Sequence, residues 1–90
     1  MAPQKERVTL ANLKRQYAAE DPELVFVGTP TVSDCLGVSE KTLEAWRREG
    51  KGPRFVKIGR FIRYPLSGLV GFVEGRTFTT TRQAKHGGVR

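Results

Sequence analysis

Cysteine and histidine are nearly absent from this 90-residue chain, which has one of each, Cys35 and His86. A lone cysteine excludes an intramolecular disulfide, and the two residues together cannot supply the four ligands of a usual zinc site. We interpret Cys35 as a small buried hydrophobe rather than a nucleophile, because free cysteines are often buried. The sequence also has no phosphate-binding loop, paired-carboxylate pattern or nucleophile–base set, so neither a cofactor nor an enzymatic activity is expected.

Long apolar runs are absent too. The longest is Leu24–Val27, far short of the roughly 20 residues that span a bilayer. The N-terminus lacks the apolar core of a signal peptide. The length of the chain and its hydrophobic content of 38% predict one small domain. Because it lacks a membrane-spanning run and a signal peptide, we expect the protein to be cytosolic and to have no membrane partner.

Acidic residues are missing from one segment of the chain. The net charge is +7, yet residues 1–50 carry no excess of positive charge, and residues 51–64 contain five bases and no acid. Localised positive charge attracts nucleic acid or an anionic membrane surface. A membrane-binding segment is typically a basic amphipathic helix, whereas these bases alternate with β-prone residues. Nucleic acid is therefore the preferred partner.

The first third of the chain predicts one helix and one short strand. Thr9 is expected to cap a helix that runs to about Ala19, and Pro22 prevents its continuation. Leu24–Val27 is rich in strand formers. We expect both elements to pack on the core.

Two short helices joined by a glycine turn are predicted next. Thr29 is expected to cap a helix over residues 30–36, which Gly37 ends by adopting a positive φ. Ser39 then caps a second helix over residues 40–48. Such a pair forms a helix-turn-helix when the apolar positions meet across the turn.

The second helix of this pair has distinct inner and outer faces. Leu43 and Trp46 are expected to face the core. An outward polar face is what a recognition helix needs in a major groove, although any solvated helix has one. The polar residues assigned to that face are Glu40, Lys41, Glu44, Arg47 and Arg48.

A basic β-hairpin is predicted over residues 55–64, with its turn at Gly59 and Arg60. Proteins also place charge on edge strands to prevent aggregation, but that explanation requires only a few lysines. Five bases without an acid over residues 51–64 favour a DNA-binding wing instead.

A short last helix and a tail complete the prediction. Ser67 is expected to cap the helix, and Gly75 is expected to end it. Residues 76–90 have the composition of a basic, flexible tail. The residues expected to face inward are Leu69, Phe72 and Val73.

Three motifs in this region match those of a known family: LGVS before the second helix, TLxxWRRxG within it, and GPxFxKIGRxxRY in the hairpin. They resemble the MerR-like winged-helix family, which includes phage excisionases and AlpA-type regulators, and mycobacteriophage excisionases look most similar. The resemblance covers about residues 29–74 and departs at Gly68, where the family usually has an acidic residue. It implies a mainly α fold with a small β-hairpin, a winged helix-turn-helix with an extra N-terminal helix.

The resemblance also implies where DNA binds. Lys41, Glu44 and Arg48 would lie near bases, and the wing would contact phosphates or the minor groove. The full set expected from the recognition helix is Ser39, Glu40, Lys41, Glu44, Arg47 and Arg48, and that from the wing is Arg54, Lys57, Arg60 and Arg63.

Three biological roles remain open at this point. No heptad pattern follows Glu74, which favours an excisionase over a coiled-coil regulator. An excisionase would bind repeated sites beside copies of itself, bend the duplex and direct a phage integrase in a bacterial cytoplasm. A small MerR- or AlpA-like transcriptional regulator and a protein adaptor are the alternatives. The expected division is an N-terminal segment 1–28, a DNA-binding domain 29–75 and a tail 76–90.

Overall fold

A computed structural model describes residues 8–77, which fold into short helices around a small antiparallel sheet. This confirms the predicted class, mainly α with a small β component in a winged helix-turn-helix arrangement. Residues 1–7 and 78–90 lie outside the described part, and the second of these ranges includes most of the predicted tail. The elements are α1 (Leu10–Gln16), a 3-10 turn (Pro22–Leu24), β1 (Phe26–Val27), α2 (Thr29–Leu36), α3 (Glu40–Glu49), β2 (Val56–Ile58), β3 (Phe61–Pro65) and α4 (Leu66–Glu74).

Helix α1 begins as predicted and ends earlier than predicted. The Thr9 side chain accepts a hydrogen bond from the Asn12 amide at 3.1 Å, which confirms the cap. The helix ends at Gln16 instead of Ala19, because the Ala18 and Glu20 amides bond three residues back and tighten the chain into turns. Leu13 is buried and joins α1 to the core.

The start of α2 differs from the prediction by one residue. Gly28 is the N-cap and provides no side-chain bond, so the predicted cap at Thr29 is wrong; Thr29 is the first helical residue. Pro30 fits the first turn because its missing N–H would have no helical partner there. Gly37 ends the helix with a φ of 71°, as expected for a tight turn.

The turn between α2 and α3 is fixed at both ends. Ser33 donates from its hydroxyl to the Val38 carbonyl at 2.6 Å. The Ser39 hydroxyl oxygen accepts from the Thr42 amide at 3.0 Å, which confirms the predicted cap of α3. Leu43 is buried, while Trp46 is half-buried and packs at the edge of the core. Helix α3 therefore has the inner face that its sequence predicted.

The predicted hairpin is confirmed, and a third strand joins it. Ile58 lies opposite Phe61, so the loop consists of Gly59, with a φ of 61°, and Arg60. Strand β1 pairs antiparallel with the other edge of β3, giving the order β1-β3-β2. The hairpin predicted from the sequence has only two strands.

Helix α4 starts directly after β3, without the predicted cap. Its first residue is Leu66, whose amide donates to the Val25 carbonyl at 2.8 Å. This bond satisfies the first of the free amides at the helix start, and Ser67 lies inside the helix, so the Ser67 cap is wrong. Gly75 follows the last helical residue, as expected.

The core draws residues from most of these elements. Tyr64 is its largest fully buried side chain, with 1% of its surface exposed. Of the three α4 residues expected to face inward only Leu69 is fully buried, while Phe72 and Val73 are half-buried. No helix in residues 8–77 is long and apolar enough to cross a membrane. The buried hydrophobic residues are Leu13, Val27, Val32, Leu43, Tyr64, Leu66 and Leu69.

Two glycines after α3 allow a matched test of the packing around Trp46. Gly50 and Gly52 have φ values of 73° and 83°. A Cβ on Gly52 would lie 2.8 Å from Trp46 Cε3, whereas one on Gly50 would meet nothing within 4 Å. Gly50→Ala should lower the free energy of unfolding by about 1–2 kcal/mol through backbone strain alone. Gly52→Ala should lower it by a further 1–3 kcal/mol or so, from overpacking.

Urea unfolding followed by the fluorescence of Trp46, the single tryptophan, measures both effects. Equal destabilisation by the two substitutions would contradict the close approach of Gly52 to the indole.

Candidate nucleic-acid interface

The exposed stripe of α3 consists of Lys41, Glu44 and Arg48. These residues are spaced i, i+3 and i+7, so they lie along one side of the helix, away from buried Leu43. Two cations and one carboxylate give this surface both hydrogen-bond donors and acceptors. Such a stripe can contact base edges, which present both kinds of group in a major groove.

The N-terminal end of α3 has a more structural character. Ser39 is exposed, but its oxygen is occupied by the Thr42 amide and lies 3.0 Å from the Thr42 hydroxyl oxygen. Glu40 is exposed in the first turn, where the helix dipole favours a carboxylate. Both residues therefore stabilise the helix start, and a DNA contact from either stays a prediction.

Arg47 does not lie on the outward face to which the sequence analysis assigned it. It is half-buried, its Nη1 donates to the Tyr64 hydroxyl at 2.7 Å, and its guanidinium lies 5.8 Å from the centroid of the Phe55 ring. Arg47 follows Leu43 by four residues, a spacing that puts both on the same side of a helix. The inward position of Arg47 could therefore have been predicted from the sequence. Arg47 ties α3 to β3.

The wing presents cations on both faces and at its tip. Lys57 and Arg60 are exposed, while Arg63 is half-buried and donates to the Ile62 carbonyl at 2.9 Å. The strand register pairs Lys57 with Ile62 and Arg63 with Val56, so the two cations leave opposite faces of the hairpin. No salt bridge to any of the three occurs among the described residues.

The other two bases of this segment are compensated. Arg54 lies before β2, outside the wing to which the sequence analysis assigned it. Its Nη2 is 3.5 Å from Glu23 Oε2 and donates to the Ser67 hydroxyl at 3.1 Å. Lys51 Nζ lies 3.5 Å from Glu49 Oε1. The segment therefore contributes three cations without a salt bridge among the described residues, because acidic residues outside the segment pair with the remaining two.

Two apolar residues of the wing are exposed, which the sequence analysis did not recognise. Ile58 and Phe61 face each other across the strand pair, and 56% and 54% of their surfaces are exposed. The signal was available: Ile62 and Tyr64 face the core, so strand alternation turns Phe61 outward. These residues belong to the same projecting hairpin as the cations.

The one cysteine of the chain lies apart from these groups. Cys35 is half-buried in α2, and burial together with the Asp34 carboxylate raises the pKa of its thiol. The thiol is therefore protonated at neutral pH, as suits a packing residue. Within residues 8–77 no group of histidine, cysteine or acidic side chains is arranged to hold a metal ion.

The neighbouring arginines of α3 should differ in their effect on stability. Arg47→Ala should lower the free energy of unfolding by about 1–3 kcal/mol, because the buried Tyr64 hydroxyl loses its partner. Arg48→Ala, the control, should change it by less than about 0.5 kcal/mol, because Arg48 is exposed. Urea titration of both variants measures the two changes in the free energy of unfolding. Equal losses would refute the structural role of Arg47.

Comparison with known families agrees with this geometry. A model of a family described as a helix-turn-helix domain matches residues 26–77, more than half of the chain. The match includes β1, the helix pair, the wing and α4. No curated protein matches the chain. The protein therefore belongs to this helix-turn-helix domain family, as a small sequence-specific DNA-binding protein of a kind that is typically not enzymatic.

Proposed function

We propose that the protein is a phage excisionase, a DNA-binding factor that turns an integrase toward prophage excision in the cytoplasm of a bacterial host. The observation that carries the proposal is the pairing of the exposed α3 stripe with a wing whose three cations form no salt bridge within residues 8–77. The motif resemblance to excisionases supports the same assignment. Helix α4 packs into the core of the domain through Leu66 and Leu69, so these two side chains are not available to a coiled-coil dimer.

Base contacts in this proposal come from α3 in the major groove. Glu44 is suited to accept a hydrogen bond from a cytosine amino group, and Arg48 is suited to donate to guanine. Lys41, one turn closer to the helix start, extends the same stripe. A good bidentate pair with a base discriminates by about 1–3 kcal/mol, enough for specificity from a few side chains. Arg47 is left out because Tyr64 holds its guanidinium.

Phosphate contacts come from the wing. Lys57, Arg60 and Arg63 neutralise phosphates or approach the minor groove, whose negative potential attracts arginine where the groove is narrow. Arg54 is left out because it is paired with Glu23 and bonded to Ser67.

The wing contribution predicts a change in salt dependence. Arg60→Ala combined with Arg63→Ala should weaken binding to all duplexes and flatten the plot of log affinity against log salt by about 0.9 per lost phosphate contact. The control is Lys14→Ala combined with Arg15→Ala, which removes the same charge from exposed positions of α1. Fluorescence anisotropy between 50 and 200 mM salt gives the slopes. A wing variant with the wild-type slope, or a control that flattens equally, would exclude the wing as the phosphate grip.

The excisionase role predicts cooperative assembly. A monomer needs no palindromic half-sites, so copies can line up head to tail on repeated sites and bend the duplex together. Bending a site of 20–30 bp costs of the order of 1–6 kcal/mol, which contacts between neighbours must offset. A phage integrase is the further partner that this role requires.

A gel-shift titration on one site and on several tandem sites tests this role, using sites selected from a random pool. The affinity per site should rise with site number and fall when about 5 bp, half a helical turn, separate the sites. Equal affinity per site, or a tight dimer in sedimentation without DNA, would contradict the excisionase role and favour the small transcriptional regulator.

A further inference from the structure

One face of the wing carries an apolar ridge that the core does not use. Cross-strand pairs place Val56 with Arg63 and Ile58 with Phe61, on the face opposite buried Tyr64. We call these four residues the outer wing face. Farther along the same side of the sheet lies Phe26, on β1, with 45% of its surface exposed. On this side of the sheet Pro65, which pairs with Phe26, is buried, so the exposed apolar surface of the wing itself lies at Ile58 and Phe61 near the tip.

The ridge is most exposed next to the turn, where cations border it. The guanidinium carbons of Arg60 and Arg63 lie 5.8 Å and 5.4 Å from the centroid of the Phe61 ring. Arginine in this position attracts the ring face and can still donate to an anion, although Nη1 of Arg63 donates to the Ile62 carbonyl. No acidic side chain forms a salt bridge with either arginine among residues 8–77. The tip is therefore an apolar wedge with positive flanks.

The positive flanks and the apolar tip of this wedge indicate a partner with negative edges and an apolar interior. A minor groove has phosphates along both edges and an apolar interior of sugars and base edges between them. Phenylalanine, leucine and isoleucine are among the side chains that proteins insert there, where they unstack a base step and kink the duplex. Phe61 lies three residues before Tyr64, which Arg47 ties to α3, so the tip extends about 10 Å beyond that contact.

We propose that Phe61, supported by Ile58, inserts from the minor groove into a base step and kinks the duplex. The inference rests on the DNA binding of the family and provides a physical mechanism for the proposed bending. Pyrimidine–purine steps are the expected targets, because they unstack most easily. Arg60 and Arg63 hold the phosphates on either side of the step.

The test uses a selected duplex long enough for one copy only, with 2-aminopurine scanned through its base steps. Wild-type protein should raise 2-aminopurine fluorescence at one step. Phe61→Ala should abolish that rise and weaken binding about tenfold, with an unchanged salt slope because no phosphate contact is lost. Phe61→Leu should keep most of both signals, since leucine is also an effective wedge. Phe26→Ala, the matched control, should behave like wild type.

Two results would overturn the inference. The first is wild-type affinity of Phe61→Ala for the single-site duplex; loss of cooperativity on tandem sites in the same variant would then assign the outer wing face to a second copy. The second is full wild-type binding without a fluorescence rise at any step. Failure of the excisionase role is distinguishable, because it removes cooperativity on tandem sites and leaves the single-site signals intact. Circular dichroism of each variant confirms folding.

Discussion

The hydrogen bond between Arg47 and the Tyr64 hydroxyl helps to hold α3 and the wing in a fixed relation. Tyr64 is almost completely buried in β3 and pairs with Val27 of β1, so its position is fixed by the whole sheet. A buried hydroxyl needs a partner, and Arg47 supplies it from α3 at 2.7 Å. The bond therefore connects the recognition helix to the strand from which the wing projects. A surface held in this way loses little conformational entropy on binding DNA.

Positive charge serves two purposes in this small domain. Arg47, Arg54 and Lys51 are held by internal partners: a buried hydroxyl for the first and carboxylates for the other two. Exposed ion pairs of this kind contribute little to stability, and their main effect is to remove charge from the binding surface. Among residues 8–77, three cations of the wing, Lys57, Arg60 and Arg63, form no salt bridge with an acidic side chain. The chemistry of the interface thus depends on which bases the fold leaves uncompensated, more than on the net charge of +7.

Local sequence signals predicted the helix pair and the hairpin, because each of these elements is stabilised by nearby residues. Ser39 caps α3, and Gly37, Gly50 and Gly59 adopt the positive φ values that their turns need. Two of the errors occurred where distant residues compete with local ones. The Val25 carbonyl accepts from the Leu66 amide where the helix begins, so Ser67 lies inside the helix and is not its cap. The position of Arg54 likewise depends on Glu23, which no local pattern reveals.

Backbone amide chemical shifts during titration with a selected single-site duplex test the central claim most directly. That claim is that the exposed stripe of α3 and the wing form one continuous DNA-binding surface. The largest shifts should occur together at residues 41–48 and 57–63, with a common saturation point, while α1 and α4 change little. Shifts concentrated on α1 and α4, or a wing that saturates separately from α3, would contradict the account.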